Sequence, residues 1–357
     1  MKKRYGAPLV LVMVILLLMV IAHIVLPYVI RDYLNGKLDH MGDYHGQIDD
    51  VDLALWRGAY RINDLRIVKV TGKVPVPLLD APVIDLSVSW SALWHNQAIV
   101  ARVLFLRPEL NFVDGSDSQS SQTGAGTNWR AVLEKLLPIT LDEVRVEDGR
   151  IHFRNFQSRP PVNLSASAVQ ASLYNLTNVA DERGRRVARF DGHAQLFGQA
   201  PLQVQATFDP FSGFDEFQLR LRAEDVELRR LNDFASAYGK FDFNQGRGTL
   251  VLEAQADHGR LSGYLKPLLR GVDVFNWQQD VEAHDKSLFR SIWEALVGGG
   301  ETALKNQQKD QFATRVAISG NVHRQDVNGF EAFLGILRNA FIEAFNARYE
   351  RSSPAER

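Results

Sequence analysis

Acidic residues and histidines gather at two places along the chain. His40, Asp43, His45 and Asp49 fall close together, and imidazole and carboxylate donors at short spacing are the raw material of a divalent-cation site. Asp142, Glu143, Glu147 and Asp148 form the second group. General acid–base chemistry needs two such carboxylates converging on one pocket. Neither group meets its requirement. The first sits at a junction between helix and strand, where solvated side chains are expected. The second flanks a turn signal and is expected to point to solvent. His152 and His193 occupy the polar parity of their segments and read as surface residues. No Lys-Ser/Thr pair follows Gly298-Gly299-Gly300, so it is not a phosphate-cradling loop. The chain has no cysteine, which excludes a thiol nucleophile, a thiolate zinc site and a disulfide. The expectation is a protein that is not an enzyme, with no catalytic residue, no metal ligand and no cofactor.

The elements behind these residues read mostly as strands. Leu202, Val204, Ala206 and Phe208 alternate with Gln203, Gln205 and Thr207. Phe217, Leu219 and Leu221 alternate with Gln218, Arg220 and Arg222, and Leu250 and Leu252 with Val251 and Glu253. Alternation of period two gives a sheet with one apolar face. The same parity selects Val51, Leu53 and Leu55, then Ile84, Leu86 and Val88, and later Val316 and Ile318. Asp148-Gly149 reads as a two-residue hairpin turn, setting Val146 opposite Ile151 and Val144 opposite Phe153. A bulge is expected near Asn63-Asp64 and a turn at His258-Gly259. About a dozen short strands with few helices predict a mainly β fold with an antiparallel, meandering sheet. Helical spacing marks 128–137, 228–238, 287–297 and 330–345, the last two amphipathic.

The N-terminus sets the location. Lys2, Lys3 and Arg4 precede an apolar run over 7–26, which as a helix covers about 30 Å, the thickness of a bilayer core. The run exceeds the usual signal-peptide core, and Pro27-Tyr28 follows it instead of a small-x-small site. The reading is an uncleaved single-pass anchor with its N-terminus cytoplasmic, placing the bulk in the periplasm if the source is a Gram-negative bacterium. The expected divisions are 1–27, cytoplasmic stub and transmembrane anchor; 28–42, a juxtamembrane amphipathic helix; 43–113, a first β-sheet segment; 114–127, a flexible linker; 128–329, a second β segment with short helices; and 330–357, a C-terminal amphipathic helix and tail. With 41 Lys+Arg against 42 Asp+Glu, the charge balance argues against nucleic acid as a partner.

Several stretches together resemble the AsmA-like family of bacterial envelope proteins. They are the phrase over 58–67, the segment 144–155 with Asp148-Gly149 and Ile151-x-Phe153, the run Gly263-Tyr264-Leu265-Lys266-Pro267-Leu268-Leu269, and the ending with Ile318, Gly320 and Asn339-Ala340-Phe341. That family is similar to the bridge-like lipid-transfer proteins. The resemblance implies an elongated, U-shaped, groove-forming sheet behind an inner-membrane anchor. Its apolar inner face would carry phospholipid or another acyl-chain lipid and support outer-membrane and envelope integrity. The lipid-facing candidates are Val51, Leu53, Leu55, Ile84, Leu86, Val88, Val144, Val146, Ile151, Phe153, Leu202, Val204, Phe208, Phe217, Leu219, Leu221, Leu250, Leu252, Val316 and Ile318. A dozen strands span only about 55 Å, so crossing an envelope would need an envelope protein partner or self-assembly. The alternative is a non-enzymatic, membrane-tethered scaffold whose apolar faces close on one another as a β-sandwich.

Overall fold

The structure is a computed structural model. It describes residues 6–54, 59–88, 100–124, 127, 140–176, 187–209, 215–239, 241–275, 311–313 and 315–321. The expected helices at 128–137, 287–297 and 330–345 and candidate Leu55 lie outside these residues.

The chain is mainly β, one large mixed sheet behind an apolar N-terminal helix. Helix α1 (Gly6–Leu38) is long and apolar enough to cross a membrane, as an anchor or a signal sequence would be. It runs through Pro27 without a break and ends at Leu38, so the juxtamembrane stretch is a continuation of the same rod. Its last turns dock on the sheet. Leu34 and Leu38 are buried with Met41, Ile48 and Val51. The Asn35 side chain accepts from Ile48 N at 2.8 Å and donates to Ile48 O at 3.1 Å. Gly46 permits this approach, because a Cβ there would meet the Leu38 side chain at 3.1 Å.

The strands are β1 (Tyr44–Gln47), β2 (Asp50–Ala54), β3 (Ala59–Lys69), β4 (Leu79–Val88), β5 (Val100–Leu106), β6 (Glu109–Val113), β7 (Thr140–Asn155), β8 (Val162–Tyr174), β9 (Ala188–Leu196), β10 (Ala200–Phe208), β11 (Phe217–Glu227), β12 (Asp242–Asp257), β13 (Arg260–Phe275), β14 (Gln311–Ala313) and β15 (Val316–Asn321). All belong to one sheet in the order β1-β3-β4-β5-β7-β8-β9-β10-β11-β12-β13-β14, with β2 on β3, β6 between β4 and β7, and β15 on β13. Between β11 and β12 lies a helical segment, α2. It is a 3₁₀ turn Leu228–Leu231, an α turn Asn232–Phe234 and a wider π turn Ala235–Gly239.

Three expectations are corrected. The sheet is mixed, because β5 and β6 both run parallel to β7. Asp148-Gly149 makes no hairpin: β7 passes straight through it, with Asp148 at φ 53° and the register to β8 slipping there. An Asp-Gly pair supplies a left-handed residue equally well for a turn or for a bulge. Here the ladders to β5, β6 and β8 hold it extended, so Val146 and Ile151 are neighbours along one strand. The described part of 114–127 is bonded down, and is no free linker. Lys69 Nζ donates to Ser118 O at 2.5 Å and Ser121 O at 2.7 Å. Gln122 is fully buried and donates to Asn111 O at 3.0 Å. Gly124 N donates to the Tyr44 hydroxyl, and Thr127 to Met41 O.

Left-handed residues line up across the sheet: Asp64, Arg107, Asp148, Ala168 and Asp225, continued by Gly246 and Gly271. The expected irregularity at Asn63-Asp64 is part of this line, and the tight turn at His258-Gly259 joins β12 to β13. Bulges bend a strand and raise its twist, so these residues mark a crease through β3–β8 that is interrupted at the unbroken β9–β10 pair and resumes in β11–β13.

Candidate functional site: two apolar rows across the sheet

Register partners in neighbouring strands share a face, so the pairing can be followed from strand to strand. One row runs Leu53–Tyr60–Leu86–Val103–Val144–Leu173–Phe190–Ala206–Leu219–Ala254–Gly263–Ile318. The next on the same face runs Val51–Ile62–Ile84–Phe105–Val146–Ala171–Gly192–Val204–Leu221–Leu252–Leu265–Val316. Each crosses twelve strands, and every position is apolar, tyrosine or glycine. Eleven steps of about 4.8 Å make a path of about 53 Å.

The row between them faces the other way: Asp52–Arg61–Asp85–Leu104–Arg145–Ser172–Asp191–Gln205–Arg220–Glu253–Tyr264–Ala317. It is largely charged or polar, and its charges pair across strands, as in Arg61 with Asp85 at 2.7 Å. Glu143, expected at the solvent surface, is instead 7% exposed. It accepts from Arg145 Nε at 2.5 Å, which raises the guanidinium's pKa, and lies 3.6 Å from Arg102.

Burial along the apolar rows is uneven. Val51, Ile62, Ile84, Leu86 and Val103 are buried in one cluster with the end of α1. Leu252, Leu265, Leu261 and Ile318 are buried in another, with Phe217 and, half-buried beside them, Phe208, Leu219, Leu221 and Leu250. Over β7–β11 both rows stay half-buried at Val144, Val146, Ala171, Leu173, Phe190, Val204, Ala206, Leu219 and Leu221. All described strands are in the one sheet, so among the described residues no second sheet faces this stretch.

The crease bounds the open stretch on one side, and α2 closes it. The β9–β10 hairpin is short, and α2 reaches across the notch it leaves. Leu231 packs with Ala200, Ala223, Leu202 and Leu250. The Phe234 ring meets Phe153 at 6.1 Å. Tyr238 donates to Asp114 Oδ2 at 2.5 Å and accepts from Asn155 at 3.0 Å. Ile151 packs with Ala166, Val169 and Ala194 beside the crease. The contacts of Phe153 are thus with α2, away from the open stretch.

The sequence candidates fall out as follows. Val51, Leu53, Ile84, Leu86, Val144, Val146, Val204, Leu219, Leu221, Leu252, Val316 and Ile318 lie in the two rows. Leu202, Phe208, Phe217 and Leu250 lie on flanking rungs of the same face. The side chains of Val88 and Val316 lie outside the described residues. Sequence reasoning missed Tyr60, Val103, Phe105, Leu173, Phe190 and Leu265 as row members. Burial pushes the Tyr60 phenol up to about 12, as expected for a hydroxyl set among apolar side chains. Gly192 leaves room for a neighbour, since a Cβ there would meet the Phe190 ring at 2.9 Å. Gly263 is required by closeness, because a Cβ would collide with the Glu253 carbonyl oxygen.

For metals, His40 and His45 both pair with Asp39. Among the described residues, the donors of Glu216, Asp257 and His258 come within 4.8 Å of one another, all exposed, where the β12–β13 turn meets the start of β11. No family model matches this sequence, and no curated protein matches it.

Proposed function

We propose that this chain is a membrane-anchored lipid carrier that holds the acyl chains of a phospholipid along the two apolar rows. The observation that carries the reading is their half-buried stretch over β7–β11, twenty or so ångströms wide by strand count, with no described sheet against it. Covering such a Leu or Val with hydrocarbon contributes on the order of 1 kcal/mol, so several together favour an alkyl chain over water. The resemblance to AsmA-like proteins supports the same reading. On this reading α1 is a single-pass inner-membrane anchor, the sheet is periplasmic and curved into a groove, and the protein supports envelope integrity. Leu34 follows the apolar run by eight residues, about 12 Å of helix, so the rows begin close to the bilayer surface.

The test is site-specific photo-crosslinking on the full-length chain in membranes. A photoreactive residue at Val204 or Leu219 should capture phospholipid, and one at Gln205 or Asp85 on the other face should not. Capture at neither apolar position, with no phospholipid co-purifying, would leave the tethered scaffold as the function.

A further inference from the structure

Opposite the apolar rows, the polar face of β11, β12 and β13 carries a cavity of about 310 Å³. Its floor is two polar rungs, Gln218–Gln255–Ser262 and Arg220–Glu253–Tyr264. Its wall is Arg315, just before β15, whose guanidinium lies 4.0 Å over the Tyr264 ring. One rung further, on the same parity as Tyr264, stands Lys266, opposite Val251.

The charges here behave unlike those on the rest of the face. Arg61 pairs with Asp85, Arg145 with Glu143 and Arg222 with Glu224. Arg220 is the register partner of Glu253 but makes no ion pair with it. Glu253 instead faces its other register partner, Tyr264, and holds that phenol's pKa above its ordinary value. Among the described residues, none of Arg220, Lys266 and Arg315 has an ion-paired carboxylate. Arg220 and Arg315 against Glu253 give the lining a net charge of +1, with Lys266 one rung beyond it, around a concavity with amide and hydroxyl groups at its base.

We propose that this cavity binds a phosphate monoester. At neutral pH such a group carries about −1.5 to −2 charges and three acceptor oxygens. Guanidinium forks suit those oxygens in geometry and in charge. Gln218, Gln255 and Ser262 supply neutral donors below. The cavity lies on the face away from the apolar rows and does not depend on the lipid reading.

The experiment titrates the full-length chain in detergent micelles with inorganic phosphate and, in a parallel arm, with micelle-dispersed phosphatidic acid. Saturable binding of inorganic phosphate is expected, weakened about tenfold or more in the double variant R220Q/R315Q. Glu253→Gln should tighten it severalfold by removing the competing charge, and Arg61→Gln should leave it unchanged. Saturation by phosphatidic acid alone, with the same dependence on Arg220 and Arg315, assigns the monoester to a lipid. Binding of neither probe, or equal binding by the wild type and R220Q/R315Q, overturns the proposal.

Discussion

Ile84 and Leu86 on β4 and Leu221 and Leu219 on β11 occupy the same two rows and point to the same face. They are also the same kinds of side chain. The β4 pair is 3% exposed at both positions, and the β11 pair is half-buried. Their surroundings account for the difference. Around β4 the rows carry Tyr60, Ile62, Val103 and Phe105, and the end of α1 joins the same cluster. Around β11 they carry Ala206, Val204, Ala254 and one large side chain, Leu252, and no helix end joins that cluster. Large neighbours and a docked helix make a core at one end; mostly small neighbours and no docked helix leave a shallow apolar floor in the middle. Alternation in sequence therefore says which face a side chain takes, and the volume of its neighbours says whether the protein covers it.

The sharpest test introduces a carboxylate into each stretch. Ile84→Asp should destabilise the fold by about 3–5 kcal/mol, the cost of a charge in a packed core. Leu221→Asp should cost about 1 kcal/mol and instead abolish co-purification of phospholipid. Denaturation curves beside lipid extraction read both, and equal losses of stability would break the comparison. A smaller effect comes from the helix that covers the first stretch. Asn35→Ala removes both bonds to Ile48 and should cost about 1–3 kcal/mol. Amide exchange should quicken at Ile48 and stay unchanged on β11; quickening on both would mean the two stretches open as one unit. The smallest effect belongs to the opposite face. Burial, then Arg154, hold the His152 imidazole below its ordinary value of 6.5. The unfolded chain then binds that proton more readily, so stability should rise with pH up to about 6.5 and be lost below it. His152→Gln should flatten that slope without altering the contrast between β4 and β11.

Much of this fold is legible in the sequence because its strands alternate cleanly. Leu202 to Phe208 and Phe217 to Leu221 pair as their parity predicts. The helical spacing at 228–238 corresponds to α2. The parallel ladders are not legible. They join β5 and β6 to β7 across a long connection, and no local signal says that such a connection returns to the same strand edge. Asp148-Gly149 misleads for a related reason, since local chemistry fixes a left-handed residue and only the neighbouring strands choose between turn and bulge. The small polar residues of 114–124 suggest slack chain, yet Gln122 is buried with bonds to the Val76 and Asn111 carbonyls, and Ser120 is buried with bonds to Asp117. Val103 and Phe105 escape notice because Pro108 interrupts their pattern. The polar cavity depends on Arg220, Glu253 and Arg315, nearly a hundred residues apart along the chain, whose meeting only the register reveals.

The apolar rows run at right angles to the strands, and this decides how such a molecule could change in evolution. Duplicating one hairpin would lengthen the path by two strand spacings, about 10 Å, and would leave every other pairing as it was. Reach is thus a modular property here, set by counting hairpins and not by redesigning a cavity.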